Sequence, residues 1–170
     1  MYTIVHMIII SDSSSLILLE KSGLLTKLLR IKKIMIPESV YSEVVDEGLK
    51  RNFTDAIKID QLVNKKEIIV KKVKSKKEFK ISLGKGEKEA IELYYQECAD
   101  KIIVDDKKAL DVCKILNIPY LTVHIILINL LKKKKINKKE AIEALDILTK
   151  ERRYSSEISL YYYNKITEVN

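Results

Sequence analysis

Tryptophan is absent from this 170-residue chain, cysteine, histidine and proline occur twice each, and glycine occurs four times. The two cysteines, Cys98 and Cys113, are fifteen positions apart, with no CxxC pair and no histidine cluster. Neither a zinc site nor a disulfide framework is therefore indicated, and a reducing, cytoplasmic setting is expected. The scarcity of glycine and proline, beside 46% hydrophobic and 33% charged residues, excludes a disordered or fibrous chain. The opening "MYTIVHMIII" carries no basic leader and no small-residue cleavage site. The longest apolar run, "LTVHIILINLL" (residues 121–131), is too short for a bilayer, so no membrane association is expected. Repeats and Pro/Ser-rich linkers are also missing. One domain over 1–170 is expected, with a core to about residue 136 and a helical extension over 137–170.

What is abundant is lysine, unevenly placed. Residues 65–85 hold nine lysines against Glu67 and Glu78, and residues 130–139 hold six with no acid. The formal charge of +8 thus sits on two cationic segments of an otherwise acidic body. That separation suits a polyanion approaching a carboxylate site, although a solvated lysine face has the same signature.

Short Ile/Val runs alternate with stretches of helical period. Strands are predicted at 3–10, 33–36, 101–104 and 119–121, with a weaker one at 67–73. Helices are predicted from Ser14 to about Leu29 with a break near Gly23, and over 38–48, 53–64, 85–98, 107–117, 123–134, 138–150 and 156–167. Near-continuous apolar strands joined by helices predict an α/β fold, a three-layer sandwich with a mainly parallel central sheet plus C-terminal helices. In such sheets ligands gather at the carboxyl ends of the strands, where strand order reverses.

Acids recur at that edge. Asp12 follows the first strand in "IIISDSSSLILLEKSG" (residues 8–23), as a site residue or as an N-cap with Ser13, Ser14 and Ser15 as alternatives. In "IPESVYSEVVDEGL", which Pro37 opens and Gly48 closes, Glu43 shares the stripe of Val40 and Val44, or snorkels from its edge. Glu87 heads the apolar face of "GKGEKEAIELYYQEC", with Glu89 on the flank; a capping box explains Glu87 equally well. Asp105 and Asp106 follow "KIIV", and only one of them is needed as a cap. Carboxylates drawn together repel unless a cation holds them. With oxygen donors and no His or Cys nearby, the fitting cation is Mg²⁺ or Mn²⁺.

The stretches "SDSSSLILLEKSG", "IPESVYSEV", "GKGEKEAI", "IIVDDKKA" and "RRYSSEISLYYYNKI", in this order over nearly the whole chain, resemble the PIN-domain family, and within it the PIN-like subgroup with a GEaEAI-type motif related to VapC-type toxins. The resemblance implies a metal-dependent endoribonuclease in which Asp12, Glu43, Glu87 and Asp105 are catalytic and, with Asp106, bind Mg²⁺ or Mn²⁺. It gives Ser13 or Ser14 the place of a hydroxyl kept beside the metal, and leaves the third acid at Glu87 or Glu89. The expected partners are RNA, drawn in by Lys71, Lys72, Lys74, Lys76, Lys77, Lys132, Lys133 and Lys134, an antitoxin protein, and a second copy of the chain in a homodimer. One departure is His124, where relatives usually carry a glycine-containing turn; on its apolar stretch it reads as a core residue. A haloacid-dehalogenase-type phosphatase needs a second acid at the position of Ser14, and a receiver domain has its acidic pair after the first strand. The remaining alternative is an inactive PIN-like module that binds RNA or protein without cutting.

Overall fold

The computed structural model describes residues 7–74, 83–152 and 155–169. Five short strands make one sheet: β1 (Ile8–Ser11), β2 (Lys33–Pro37), β3 (Ile68–Lys71), β4 (Lys101–Ile103) and β5 (Tyr120–Leu121). They are all parallel, in the order β3-β2-β1-β4-β5. The chain builds outward from β1 on one side, then returns to build on the other, so strand order reverses between β1 and β4. Parallel pairing demands crossovers, and helices supply them. The crossovers are α1 (Ser13–Lys21), α2 (Leu25–Leu29), α3 (Glu38–Tyr41), α4 (Glu47–Lys50), α5 (Thr54–Asn64), α6 (Lys85–Gln96) and α7 (Lys107–Ile115); α8 (Val123–Lys132), α9 (Lys138–Arg152) and α10 (Ser156–Glu168) follow the last strand.

The period of two along the strands divides the core. Ile9, Ile34, Ile36 and Ile103 join Leu16, Leu127, Leu145 and Ile166 on one face, with α1, α8, α9 and α10. Ile10, Met35, Ile102 and Val104 join Ile91 and Val112 on the other, with α6 and α7. This is the expected three-layer sandwich, and the C-terminal helices share its first core. Within the predicted strand 3–10, residues 3–6 lie outside the described residues.

Two details differ from the sequence reading. The stretch 38–48 runs as α3 and α4 joined by a π-helical turn at Ser42–Asp46. Gly48 does not close it: the helix continues to Lys50, and Gly48 is buried against α5, where an added Cβ would lie 2.7 Å from that of Ala56. Elsewhere α5 ends where predicted and α9 and α10 run two and one residues further, while α6, α7 and α8 each end two residues early because the residue two past each end turns left-handed. With glycine scarce, Lys66, Cys98, Asn117 and Lys134 adopt that conformation (φ +60, +47, +52 and +55°) in its place.

Candidate active site

Because β1 and β4 are adjacent, their carboxyl ends bring residues 12 and 105 to the point of strand reversal. The Asp12 amide donates to Ile103 O at 3.3 Å, tying the two strand ends together. Asp12 Oδ1 accepts the Ser15 N–H at 2.8 Å, capping α1 as one reading of the sequence allowed. The cap accounts for only half the carboxylate. Asp12 is 1% exposed, and its Oδ2 has no hydrogen-bond partner among the described residues. Burial pushes its carboxyl up to about 7 against the hydrogen bonding from Ser15, and the charges of Asp105 and Glu87 push the same way.

Asp105 accepts the Val123 N–H at the start of α8, at 3.2 and 3.1 Å to its two oxygens. Burial raises its pKa, opposed by that N–H and by the positive charge of Arg152. Asp106 turns the other way: its Oδ1 caps α7, accepting from Lys108 N at 2.8 Å and Ala109 N at 3.3 Å. Of the acidic pair, Asp105 faces the site and Asp106 holds a helix.

Glu87 and Glu43 are engaged. Glu87 Oε2 accepts the Gly84 N–H at 2.9 Å, the capping-box bond, while its charge is still felt at Asp12. Glu89, two residues on, is half-buried. Glu43 is exposed, yet Ser13 Oγ donates to its Oε2 at 2.6 Å, linking α1 to the π-helical turn. Gly86 fits against that bond: a Cβ there would stand 2.9 Å from Ser13 Oγ and 3.0 Å from Glu43 Oε2. The second glycine of "GKGEKEAI" thus has a steric reason, the close approach of α6 to α1. Ser14 Oγ donates to Asp12 Oδ1 at 3.4 Å and accepts from Arg152 Nη2 at 3.1 Å.

Arg152 has no motif of its own in the sequence. Its only signal was its place in "RRYSSEISLYYYNKI", since 140 residues separate it from Asp12 and only the docking of α9 joins them. The lysines fare differently. Lys71 pairs with Glu97 at 3.4 Å, and Lys72 and Lys74 are exposed. Lys76 and Lys77 lie outside the described residues. Lys132, Lys133 and Lys134 are exposed at and just past the far end of α8, whose ten residues carry them roughly 15 Å from its start beside Asp105. Lys133 there borders a cavity with Met7 and Lys101, at the beginnings of the strands.

The sequence of residues 8–167 matches a family described as DUF3368, a PIN domain. The chain belongs to the PIN-domain family. PIN domains are a superfamily of nucleases that commonly use divalent metals. A PilT N-terminus domain protein from the hyperthermophilic archaeon Sulfolobus solfataricus P2 is similar in fold, at 19% identity and a TM-score of 0.51 over 71% of this chain and 90% of that one. No curated protein matches the chain.

Does this PIN domain fit a divalent metal? The donor set is all hard oxygen, and the lone buried Oδ2 of Asp12 is an acceptor that a cation would satisfy. Among the described residues, however, no group of three or more His, Cys, Asp or Glu side chains is gathered closely enough to hold an ion. Asp12 and Asp105 fit as they stand; Glu87 and Glu43 would first exchange the Gly84 and Ser13 hydrogen bonds for it. No helix among the described residues is long and apolar enough to cross a membrane.

Proposed function

We propose that this PIN domain is an Mg²⁺- or Mn²⁺-dependent endoribonuclease. The observation that carries the reading is the buried, unpartnered Oδ2 of Asp12 at the point of strand reversal, with the charges of Asp105 and Glu87 bearing on it. A divalent ion bound there would activate water and neutralise charge on a phosphodiester. The chain supplies the rest. Asp12 and Asp105 are fixed by helix N–H groups, so they hold their geometry without reorganising. Ser13 positions Glu43, and Arg152 presents a guanidinium beside Ser14, where a phosphate oxygen would meet it. The lysines at 71–74 and 132–134 would contact more distant phosphates. A toxin role, an antitoxin partner, homodimerisation and a cytoplasmic setting are part of the same proposal by family likeness.

The deciding experiment uses Asp12→Asn on single-stranded RNA. Wild type is expected to cut in Mn²⁺, to stop with EDTA and to resume on adding the ion. The variant should lose at least about a hundredfold, the scale of removing one preorganised electrostatic group. Mn²⁺ should also raise the thermal midpoint of wild type and not of the variant. Equal cleavage by variant and wild type, with contaminating nuclease excluded, defeats the proposal. The engagement of Glu43 and Glu87 in hydrogen bonds favours a second reading, an inactive module that binds RNA; binding without cleavage in Mn²⁺ would establish it.

A further inference from the structure

A cleft of about 430 Å³ opens beside the carboxylates, and Asp105 belongs to both. Its walls come from three helices: Leu110 of α7, His124 of α8, and Ile158, Tyr161 and Tyr162 of α10. We infer that this cleft is a base-binding subsite, which takes the unstacked base of the nucleotide next to the phosphate held at Asp12 and Asp105. The inference rests on the ribonuclease reading.

The size lies within the range of small-ligand sites, roughly 300–1,000 Å³. The chemistry narrows the occupant. The rings stand in series: His124 stacks on Tyr162 with centroids 4.3 Å apart and planes at 28°, and Tyr161 meets Tyr162 edge-to-face at 5.1 Å. His124 thus covers one face of Tyr162, while Tyr161 is left 56% exposed and Ile158 41% exposed beside it. A flat apolar surface next to a phosphodiester site is what an unpaired base needs, because single-stranded RNA is held by stacking on aromatic rings. Charge excludes the alternative of a second phosphate, since the acids in the cleft, Asp105 and Glu157, would repel it. A neutral base is welcome there, and Glu157 is an acceptor for its ring or exocyclic N–H. Beside Arg152, which acts on Asp105, a second cation is Lys165, whose Nζ lies 5.7 Å from the Tyr161 ring centroid and 3.4 Å from Glu168 Oε2, and would suit the phosphate of the same nucleotide.

The test uses the full chain and a short single-stranded RNA carrying 5-bromouridine. Irradiation in EDTA, where no cleavage occurs, should crosslink the RNA to the α10 peptide containing Tyr161. Tyr161→Ala should abolish that crosslink and weaken binding about tenfold, the lower end of what base stacking supplies. Tyr161→Phe should retain both. In Mn²⁺, replacing the base beside the cut by an abasic ribose should slow wild type about tenfold and slow Tyr161→Ala no further. Circular dichroism should not distinguish the variants from wild type, because Tyr161 is largely exposed. A crosslink elsewhere, or abasic RNA bound as tightly as intact RNA, overturns the subsite and gives the cleft to an apolar side chain of a protein partner; cleavage in Mn²⁺ would then still stand. A crosslink at Tyr161 without cleavage keeps the subsite and overturns the nuclease. Failure of both removes both.

Discussion

Arg152 and Gly86 do opposite things for the same few side chains, one by reaching in and the other by having nothing to reach with. Arg152 donates to Ser14 and sets its charge against the raised pKa of Asp105. If it holds a phosphate oxygen in the transition state, Arg152→Ala should lower kcat/KM on RNA by about 10–100-fold, the loss of one or two charge-assisted hydrogen bonds. Arg152→Lys should recover only part, since an ammonium lacks the guanidinium's paired N–H groups. Retention of full kcat/KM by Arg152→Ala would leave the residue structural. At Gly86 a methyl group would press on both Ser13 Oγ and Glu43 Oε2. Overpacking of this kind costs about 1–3 kcal/mol. Gly86→Ala should therefore fold with a lower thermal midpoint and cut slowly, and chemical denaturation read beside cleavage assays checks both effects. Unchanged activity would mean that the Ser13–Glu43 bond has no part in turnover.

Between elements, the informative contact is the one that joins α8 to α10. His124 is 4% exposed, and burial lowers its pKa to about 4 while its ring lies on Tyr162. Asp105 and Glu157 share the adjoining cleft, and Tyr161 and Tyr162 complete its titratable neighbours. In the unfolded chain this histidine takes its proton near 6.5, whereas the folded form resists it until about 4. The unfolded state therefore binds more protons in that window, and stability falls as pH drops through it. Measured against His124→Phe, which keeps a ring but cannot titrate, wild type should lose about 2–3 kcal/mol between pH 7 and pH 4 and show no difference in slope above pH 7. Parallel curves for the two proteins across that range would place His124 in contact with water. The same junction shows where the sequence was legible. Apolar period revealed β1, β2, β4 and α5 to α10 because each buries a continuous stripe, and the acids of Asp12 and Asp105 were visible because they sit next to those strands. The π-helical turn at Ser42–Asp46 left no mark, since one extra residue in a turn barely disturbs a stripe as short as Val40 and Val44. Period and composition could not choose between Asp105 and Asp106, and only the family resemblance set Asp105 first: both follow the strand, and the choice depends on Val123 N–H, which arrives from the helix after the last strand.

Across the whole molecule, the two lysine segments, both strongly cationic, part company once the helices have a direction. Every helix that follows a strand starts at the carboxylate edge and runs back along the sheet, so α8 delivers Lys132, its last residue, and Lys133 and Lys134 to the opposite end. On the proposed ribonuclease reading, their charge would act on long RNA and hardly at all on the bond being cut. Each phosphate neutralised on a single strand contributes about −0.7 to the slope of log K against log salt. Replacing Lys132, Lys133 and Lys134 together by glutamine should make that slope shallower by about 2 for an RNA long enough to reach them. For an oligonucleotide of a few residues the slope should not change, and kcat at saturating RNA should match wild type for both lengths. Fluorescence anisotropy across a salt series in EDTA provides the slopes. A parallel loss of affinity for short and long RNA would mean that these lysines lie on the path to the carboxylates, and that the backbone reaches the site from behind the sheet and not across its carboxyl edge.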